Sequence, residues 1–320
     1  MHKTKLLAGM LGVVLGCSGF VQAQEKYPVK PIRMIVGYAP GGGSDIMGRL
    51  IAPEITAALG QQVNVENRAG QAQNIAAEYL VKQPADGYTL FLSSAALGVN
   101  VSLYPKLNYD PVKDFVPIAV FATSANLLLV HPSLPAKTVR EFIAVVKKNP
   151  GKMNYSSSGS GSTQHLSGEM LKLMIKGDFT HIPYKGTGPA LVALASGEVE
   201  FSFSNIPAAQ PLLSRMRVLA ITGEKRSVVM PEVPTMIEGG LPGFITQTWY
   251  GVLSQRGTPQ SVVNTLNSVI VKAVQREDFR SRLAQMGADP LAESPEYFRK
   301  MLNEEIERWG KVVKASGIKP

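Results

Sequence analysis

Two short runs of small residues are the places in this chain where an anion would be held. They are Pro40-Gly41-Gly42-Gly43-Ser44-Asp45 and Ser157-Ser158-Gly159-Ser160-Gly161-Ser162-Thr163. Each follows a strand-like apolar segment and opens a helix-like one. Backbone N–H groups at such a turn lack helical partners, and the helix dipole adds positive potential there. Glycine lets the backbone approach a ligand closely and take positive φ. Ser44, Ser158, Ser162 and Thr163 add hydroxyl donors. Glycine and serine also cap helices with no ligand involved, so the signal lies in the pairing. One such loop in each half of the chain, facing the other, would grip a small anion from two sides. The carboxylate of Asp45 would repel that anion and is read instead as an acceptor for backbone N–H groups at its own helix start. His165 is left open between donating to a ligand and filling the interior.

The elements that must position these loops alternate between strand and helix. Pro31 to Tyr38 reads as a buried strand, followed by a helix from Ser44 that buries Met47, Leu50, Ile51 and Ile55, with Pro53 expected to kink or end it. Strand Val63 to Glu66, helix Asn74 to Lys82 and strand Tyr88 to Ser93 follow. Pro117 to Phe121 and Leu127 to His131 read as two successive strands. The order then repeats. A capping box at Thr138 to Glu141 opens a helix, and strand Asn154 to Ser157 feeds the second loop and a helix carrying Leu166 and Leu171. Strand Phe179 to Ile182, helix Pro189 to Ala195 and strands Val199 to Phe203 and Arg217 to Thr222 complete it. Trp249 to Ser254 is a late strand, and two amphipathic helices close the chain, one capped by Thr258 and one opened by Ser294-Pro295 and stopped by Gly317. Such alternation implies an α/β fold with a mostly parallel sheet in each of two lobes.

Composition narrows the function. With 45% hydrophobic residues in 320, the chain is too apolar for disorder and too long for one small core. A single Cys excludes a disulfide framework, and four scattered His leave little for a metal. The net charge of +9 is spread among acidic residues with no recognition motif, so no nucleic-acid partner is expected. The first 23 residues read as a secretory signal: a basic head, the apolar run Leu6 to Leu15, and Val21-Gln22-Ala23 at a cleavage position. A lipoprotein box at Val14-Leu15-Gly16-Cys17, with Cys17 lipidated, is the alternative, and both readings export the protein. Removing Lys3 and Lys5 from the 33 basic residues leaves 31 against 24 acidic ones, a net +7.

Enzyme signatures are missing. The glycine loop lacks the Lys-Ser/Thr ending of a nucleoside-triphosphate loop, and no Gly-x-Gly-x-x-Gly follows the first strand. Neither Gly-x-Ser-x-Gly nor His-Glu-x-x-His occurs, and no carboxylate can be nominated to orient His165. The reading is a non-enzyme with no cofactor.

The ordered motifs Tyr27-Pro28-x-Lys30-Pro31-Ile32-Arg33, Pro40 to Asp45, Val65-Glu66-Asn67-Arg68-x-Gly70 and Pro84-Ala85-Asp86-Gly87-Tyr88-Thr89 resemble the Bug family. These TctC-like proteins are the periplasmic solute receptors of tripartite tricarboxylate transporters. The match runs on through Asn149-Pro150-Gly151-Lys152, Gly161-Ser162-x-x-His165-Leu166, Pro183-Tyr184-Lys185-Gly186, Val233-Pro234-Thr235 and Trp249-Tyr250-Gly251. It spans essentially the whole chain after the signal.

That resemblance implies a type II periplasmic binding protein, a two-lobed Venus flytrap acting as a monomer. Its ligand would be a small carboxylate and its partner a separate membrane permease. Residues 24–122 and 223–320 would form one lobe and 123–222 the other, with crossings near Phe121 to Ser124 and Ile221 to Gly223. Carried over by position, ligand contacts fall on Gly41, Gly42, Gly43, Ser44 and Asp45, with Ser158, Gly159, Ser162, Thr163, His165 and Asn205 opposite. Two departures bear on ligand identity. Gln71-Ala72-Gln73 stands where the family has smaller residues, implying a narrower or more polar wall, and Ser204 replaces an Asp beside Asn205. A periplasmic sensor and an exported hydrolase acting through Ser162 are the alternative classes.

Overall fold

The computed structural model describes residues 27–320. The signal segment, its cleavage position and Cys17 lie outside the described residues. The first half runs β1 (Ile32–Val36), α1 (Gly43–Leu59), β2 (Val63–Asn67), α2 (Asn74–Val81), β3 (Thr89–Ser94), α3 (Ala96–Leu103) and β4 (Phe115–Val130). The second runs α4 (Val139–Lys148), β5 (Asn154–Ser157), α5 (Thr163–Ile175), β6 (Thr180–Pro183), α6 (Thr187–Ser196), β7 (Phe201–Asn205), α7 (Ile206–Ala209) and β8 (Arg217–Ile221). The chain closes with β9 (Gln247–Gln255), α8 (Gln260–Gln275), α9 (Glu277–Gln285), the short β10 (Asp289–Pro290) and α10 (Pro295–Ser316).

The expected α/β fold holds, with a mixed rather than mostly parallel sheet. Parallel pairs lie at the two ends, β2-β1-β3 and β7-β5-β6. The middle is antiparallel, because β4 pairs with β9 and β10 along its first half and with β7 and β8 along its second. The two strands expected at 117–121 and 127–131 are therefore one strand of 16 residues. The stretch Thr123-Ser124-Ala125 between them stays extended because β9 pairs with it through Trp249, Thr248 and Gln247.

Two sets of buried residues flank this strand. Residues from β1, α1, β3, the first half of β4, β9 and α8 pack together, and those from the second half of β4, α4, β5, α5 and β7 form another core. The segment after β8 does not join the first core as the expected crossing near 221–223 requires. Met236, Leu241 and Phe244 pack in the second core, held there by the backbone bonds Ile221 N to Pro234 O at 2.9 Å and Met236 N to Ile221 O at 2.9 Å. The chain re-enters the first core at β9.

Local rules explain most boundaries. α1 runs unbroken through Pro53, which lies on its exposed face where water can take the freed carbonyl. Thr138 Oγ1 accepts from Glu141 N at 3.2 Å, while Glu141 Oε2 accepts from Lys137 N at 2.6 Å, the reciprocal bonding of a capping box shifted back one residue. α8 starts one residue later than expected: Pro259 is its N-cap, and Thr258 Oγ1 donates to Gln255 O at 2.8 Å. Helices α3 and α9 have no counterpart among the expected elements; α3 carries apolar residues on every side, with Asn100 buried among them, and has no stripe to detect.

Gly168 on α5 faces the ring of fully buried Tyr155, where an added Cβ would sit 2.3 Å from Cε2 and Cζ. Gly168→Ala is expected to destabilise the fold by about 1–3 kcal/mol through overpacking. A thermal melt reads this as a lower midpoint; an unchanged midpoint contradicts the packing described.

Candidate functional site

Three helices aim their N-termini at one cavity. α1 opens behind Gly42, α5 behind Ser162 and α6 behind Gly186, each N-cap being extended or left unhelical. The first-turn N–H groups of each helix have no intrahelical partner. The space that water-molecule centres can occupy in the cavity is ≈20 Å³. Gly43 and Ser44 of α1 form one wall, and Ser158, Thr163 and Gln164 the wall opposite. Thr187 of α6, Asn205 and Tyr250 close the remaining sides, and no charged side chain reaches it.

The walls come from both cores and meet tightly. Ala39 N donates to Lys185 O at 3.1 Å, joining the loop after β1 to the loop after β6. A Cβ on Gly43 would lie 2.5 Å from both Asn205 Nδ2 and Tyr250 Oη, so only glycine fits between them. Leu166 of α5 packs with Val99 and Leu103 of α3 and with Trp309 and Val313 of α10, an apolar contact bridging the same two bodies.

Among the residues lining the cavity, Tyr250 carries a buried hydroxyl without a hydrogen-bond partner. The residue is 1% exposed. Burial pushes its pKa far above the ordinary tyrosine range, so it is a hydrogen-bond donor at neutral pH. A buried hydroxyl left unpaired is costly, and an acceptor arriving in the cavity would relieve it.

Asp45 behaves as its sequence position suggested. Its carboxylate accepts from Gly41 N at 3.0 Å, Arg49 Nε at 3.0 Å and Asn67 Nδ2 at 2.9 Å. Burial alone would raise its pKa, but these bonds, led by Arg49, outweigh it and hold the carboxyl below the usual range. Its charge is spent on folding the glycine loop and is turned away from the cavity.

His165 fills the interior and shapes the second loop. Its Nδ1 accepts from Gly161 N at 3.0 Å, and its ring stacks on His181 with centroids 3.9 Å apart. His181 Nε2 in turn bonds Ser157 Oγ at 2.6 Å. Burial lowers the pKa of His165 to about 4, and burial together with the facing His165 lowers that of His181 further. Ser162 Oγ caps α5 by accepting from His165 N at 3.2 Å.

Of the residues singled out in sequence, Gly43, Ser44, Ser158, Thr163 and Asn205 come together on the cavity. Gly159 lines an adjoining one, and Gly41 lies on an outer groove. Gly42 backs the site, its ideal Cβ position 3.6 Å from Thr187 N. Asp45, Ser162 and His165 support the loops rather than line the space. The sequence reading missed Tyr38, Ser94, Gln164, Thr187, Thr248 and Tyr250. Tyr250 sat in the Trp-Tyr-Gly motif already noted, and the start of α6 was masked by Pro189, which suggested a later helix opening. A separate cavity behind the crossing strands, lined by Gly223 to Val228 and Gly287 to Asp289, carries charges of both signs and no helix N-terminus.

Two outcomes check this geometry. Gly43→Ala is expected to leave the ligand-free melting midpoint near that of wild type while blocking closure, read as loss of compaction in solution scattering. Full compaction in the variant contradicts the tight fit. The second concerns acid. Native His165 is neutral, whereas the unfolded chain takes up a proton near the ordinary His value of about 6.5. Stability is therefore full above that value and is lost as pH falls toward about 4. His165→Asn, which keeps an acceptor for Gly161 N but does not titrate, is expected to show a shallower decline. An identical decline assigns the acid sensitivity to other groups.

Comparison with known proteins agrees with this architecture. A family model described as "Tripartite tricarboxylate transporter family receptor" matches residues 47–318. Protein BugT of Bordetella pertussis is 36% identical over 325 residues, covering all of this chain and 99% of that protein. Among solved structures, R. palustris Rpa4515 with adipate has a TM-score of 0.90 and 38% identity, covering 92% of this chain and 99% of that one. MatC from Rhodopseudomonas palustris with bound malate has a TM-score of 0.85 and 36% identity, covering 90% and 100%. A two-lobed cleft ringed by helix N-termini, in a chain matched along nearly its whole length, places this protein among the periplasmic solute receptors of the tripartite tricarboxylate transporter family.

Proposed function

We propose that this chain captures a small carboxylate between its two lobes and delivers it, in the closed form, to a separate membrane permease. The observation that carries the reading is the cavity itself: three helix N-termini and the unpartnered hydroxyl of Tyr250 face a space with no charged side chain. Donors without counter-charge suit an anion with several acceptor oxygens. The two relatives solved with adipate and malate support the same ligand class. Gly43, Ser44, Ser158, Thr163 and Asn205 are the contacts proposed from sequence, to which Gln164, Thr187 and Tyr250 are added. Gly41, Gly42 and Asp45, with Gly159, Ser162 and His165, hold the two loops in shape.

We further propose that the chain crosses between lobes along Thr123 to Asn126, again near Thr222, and a third time near Thr246 to Thr248. Thr222 N donates to Asn126 O at 2.7 Å and Thr246 N to Thr222 O at 3.1 Å, which ties these segments into one hinge. Hinge closure is selected only if the ligand binds the closed form better than the open one. The buried amides and Tyr250 Oη supply that difference, since they meet water when open and need an acceptor when closed.

Thermal unfolding of residues 24–320 against a panel of small carboxylates tests capture. Ligand at a hundred times its Kd is expected to add about 2.7 kcal/mol. Tyr250→Phe is expected to weaken the best carboxylate by about tenfold or more, the scale of a hydrogen bond to a charged group. Equal binding by the Phe variant contradicts the role given to Tyr250. Absence of any carboxylate effect on the folded, empty protein contradicts capture itself.

A further inference from the structure

The space that water-molecule centres can occupy in the central cavity is ≈20 Å³, room for a carboxylate and little more, so the rest of a ligand must lie elsewhere. A second cavity, with ≈200 Å³ of such space, adjoins it and shares Tyr38 and Ser158 as walls. Its other walls are the loop Gly70 to Ala72, Tyr104, the turn Gly159-Ser160 and the segment Pro183 to Lys185. Like the first, it draws on both halves of the chain: a Cβ on Gly159 would lie 3.6 Å from Ala72 N across it.

We propose that this second cavity is a subsite for a distal anionic group, with Lys185 as its charge partner and Gln71 as its hydrogen-bonding wall, so that the chain selects diacids over monoacids. The inference rests on the carboxylate-capture reading and adds what lies at the ligand's far end. Three observations carry it. Lys185 is the one formally charged side chain on the cavity lining, and no carboxylate shares that lining. Lys185 is exposed and forms no ion pair among the described residues, which leaves its charge open to a ligand.

The third observation is the shape of the Gln71 wall. Gln71, Ala72 and Gln73 are three consecutive non-glycine residues at positive φ, at 49°, 43° and 71°. Such conformations persist only where surroundings over-determine them. Here the side chain of Gln73, fully buried, donates from Nε2 to Ser94 O at 3.0 Å and accepts at Oε1 from Ser93 Oγ and Ser94 N, both at 3.2 Å. Asn100 Nδ2 holds Ala72 O at 2.9 Å. Gly37 clears the space, since a Cβ there would sit 2.2 Å from Gln73 Cβ. The clamp turns Gln73 inward and leaves Gln71 exposed at the cavity. The family departure at these positions thus has two separate effects: one glutamine fixes the wall and the other presents an amide to the ligand.

Calorimetric titration at neutral pH tests the subsite with succinate, glutarate, adipate and pimelate, each paired with the monoacid of the same carbon count. Wild type is expected to favour at least one diacid over its monoacid by about five- to tenfold or more, the scale of one charge-assisted contact. Lys185→Met is expected to abolish that preference while leaving monoacid affinity unchanged, and Lys185→Arg to retain it. Equal binding of diacids and monoacids by wild type, or a preference that survives Lys185→Met, overturns the subsite. In either case, retained monoacid binding leaves the capture reading standing. Binding of neither series by folded protein overturns both.

Discussion

The structure depends on a constraint of hydrogen bonding: helix N-termini cannot be buried together without something to accept from them. α1, α5 and α6 converge on one space, and no acidic side chain is offered to them there. Asp45, the only carboxylate close enough in sequence to compete, is committed to Gly41, Arg49 and Asn67. In the open form water satisfies the amides. On closure they are shut away with Tyr250 Oη, and an unliganded closed cleft carries that desolvation cost. In the capture proposed above, a carboxylate would cancel it, and ligand and closure would be coupled through that cost.

The rest of the fold serves to make that closure a clean two-body event. β4 runs through the middle of the molecule, pairing with β9 along its first half and with β7 and β8 along its second, so the two cores share one continuous strand instead of a flexible linker. Apolar contact between Leu166 and Trp309 and the backbone bond from Ala39 to Lys185 define where motion stops. Gly43 sets the final spacing, because the helix start must slide between Asn205 and Tyr250. Beneath the second loop, the stacked His165 and His181 act as neutral spacers, their low pKa values the consequence of burial beside one another.

Much of this was legible from residue types. Loops of glycine and serine before amphipathic runs located α1 and α5, and capping chemistry placed the starts of α4 and α10. What was not legible depended on tertiary pairing. Thr123-Ser124-Ala125 has no apolar run to mark it as strand, and only its pairing with β9 joins the two expected strands into one. Residues 233–244 are Pro- and Gly-rich and gave no sign of which core they would join. Tyr250 alternates with buried neighbours on a strand, and nothing local distinguishes a core tyrosine from one whose hydroxyl faces an empty cavity. Gln71 and Gln73 were read together as wall residues; their opposite directions follow from three left-handed backbone positions that sequence does not announce for non-glycine residues.

A crystal structure of the protein grown with a saturating dicarboxylate such as adipate tests the central claim most directly. The account predicts density for one carboxylate within hydrogen-bonding distance of the Ser44 and Thr163 backbone amides and of Tyr250 Oη, in a closed cleft. Density for the anion in the cavity behind the crossing strands, beside Lys225 and Asp289, with the central cavity holding none, would contradict it.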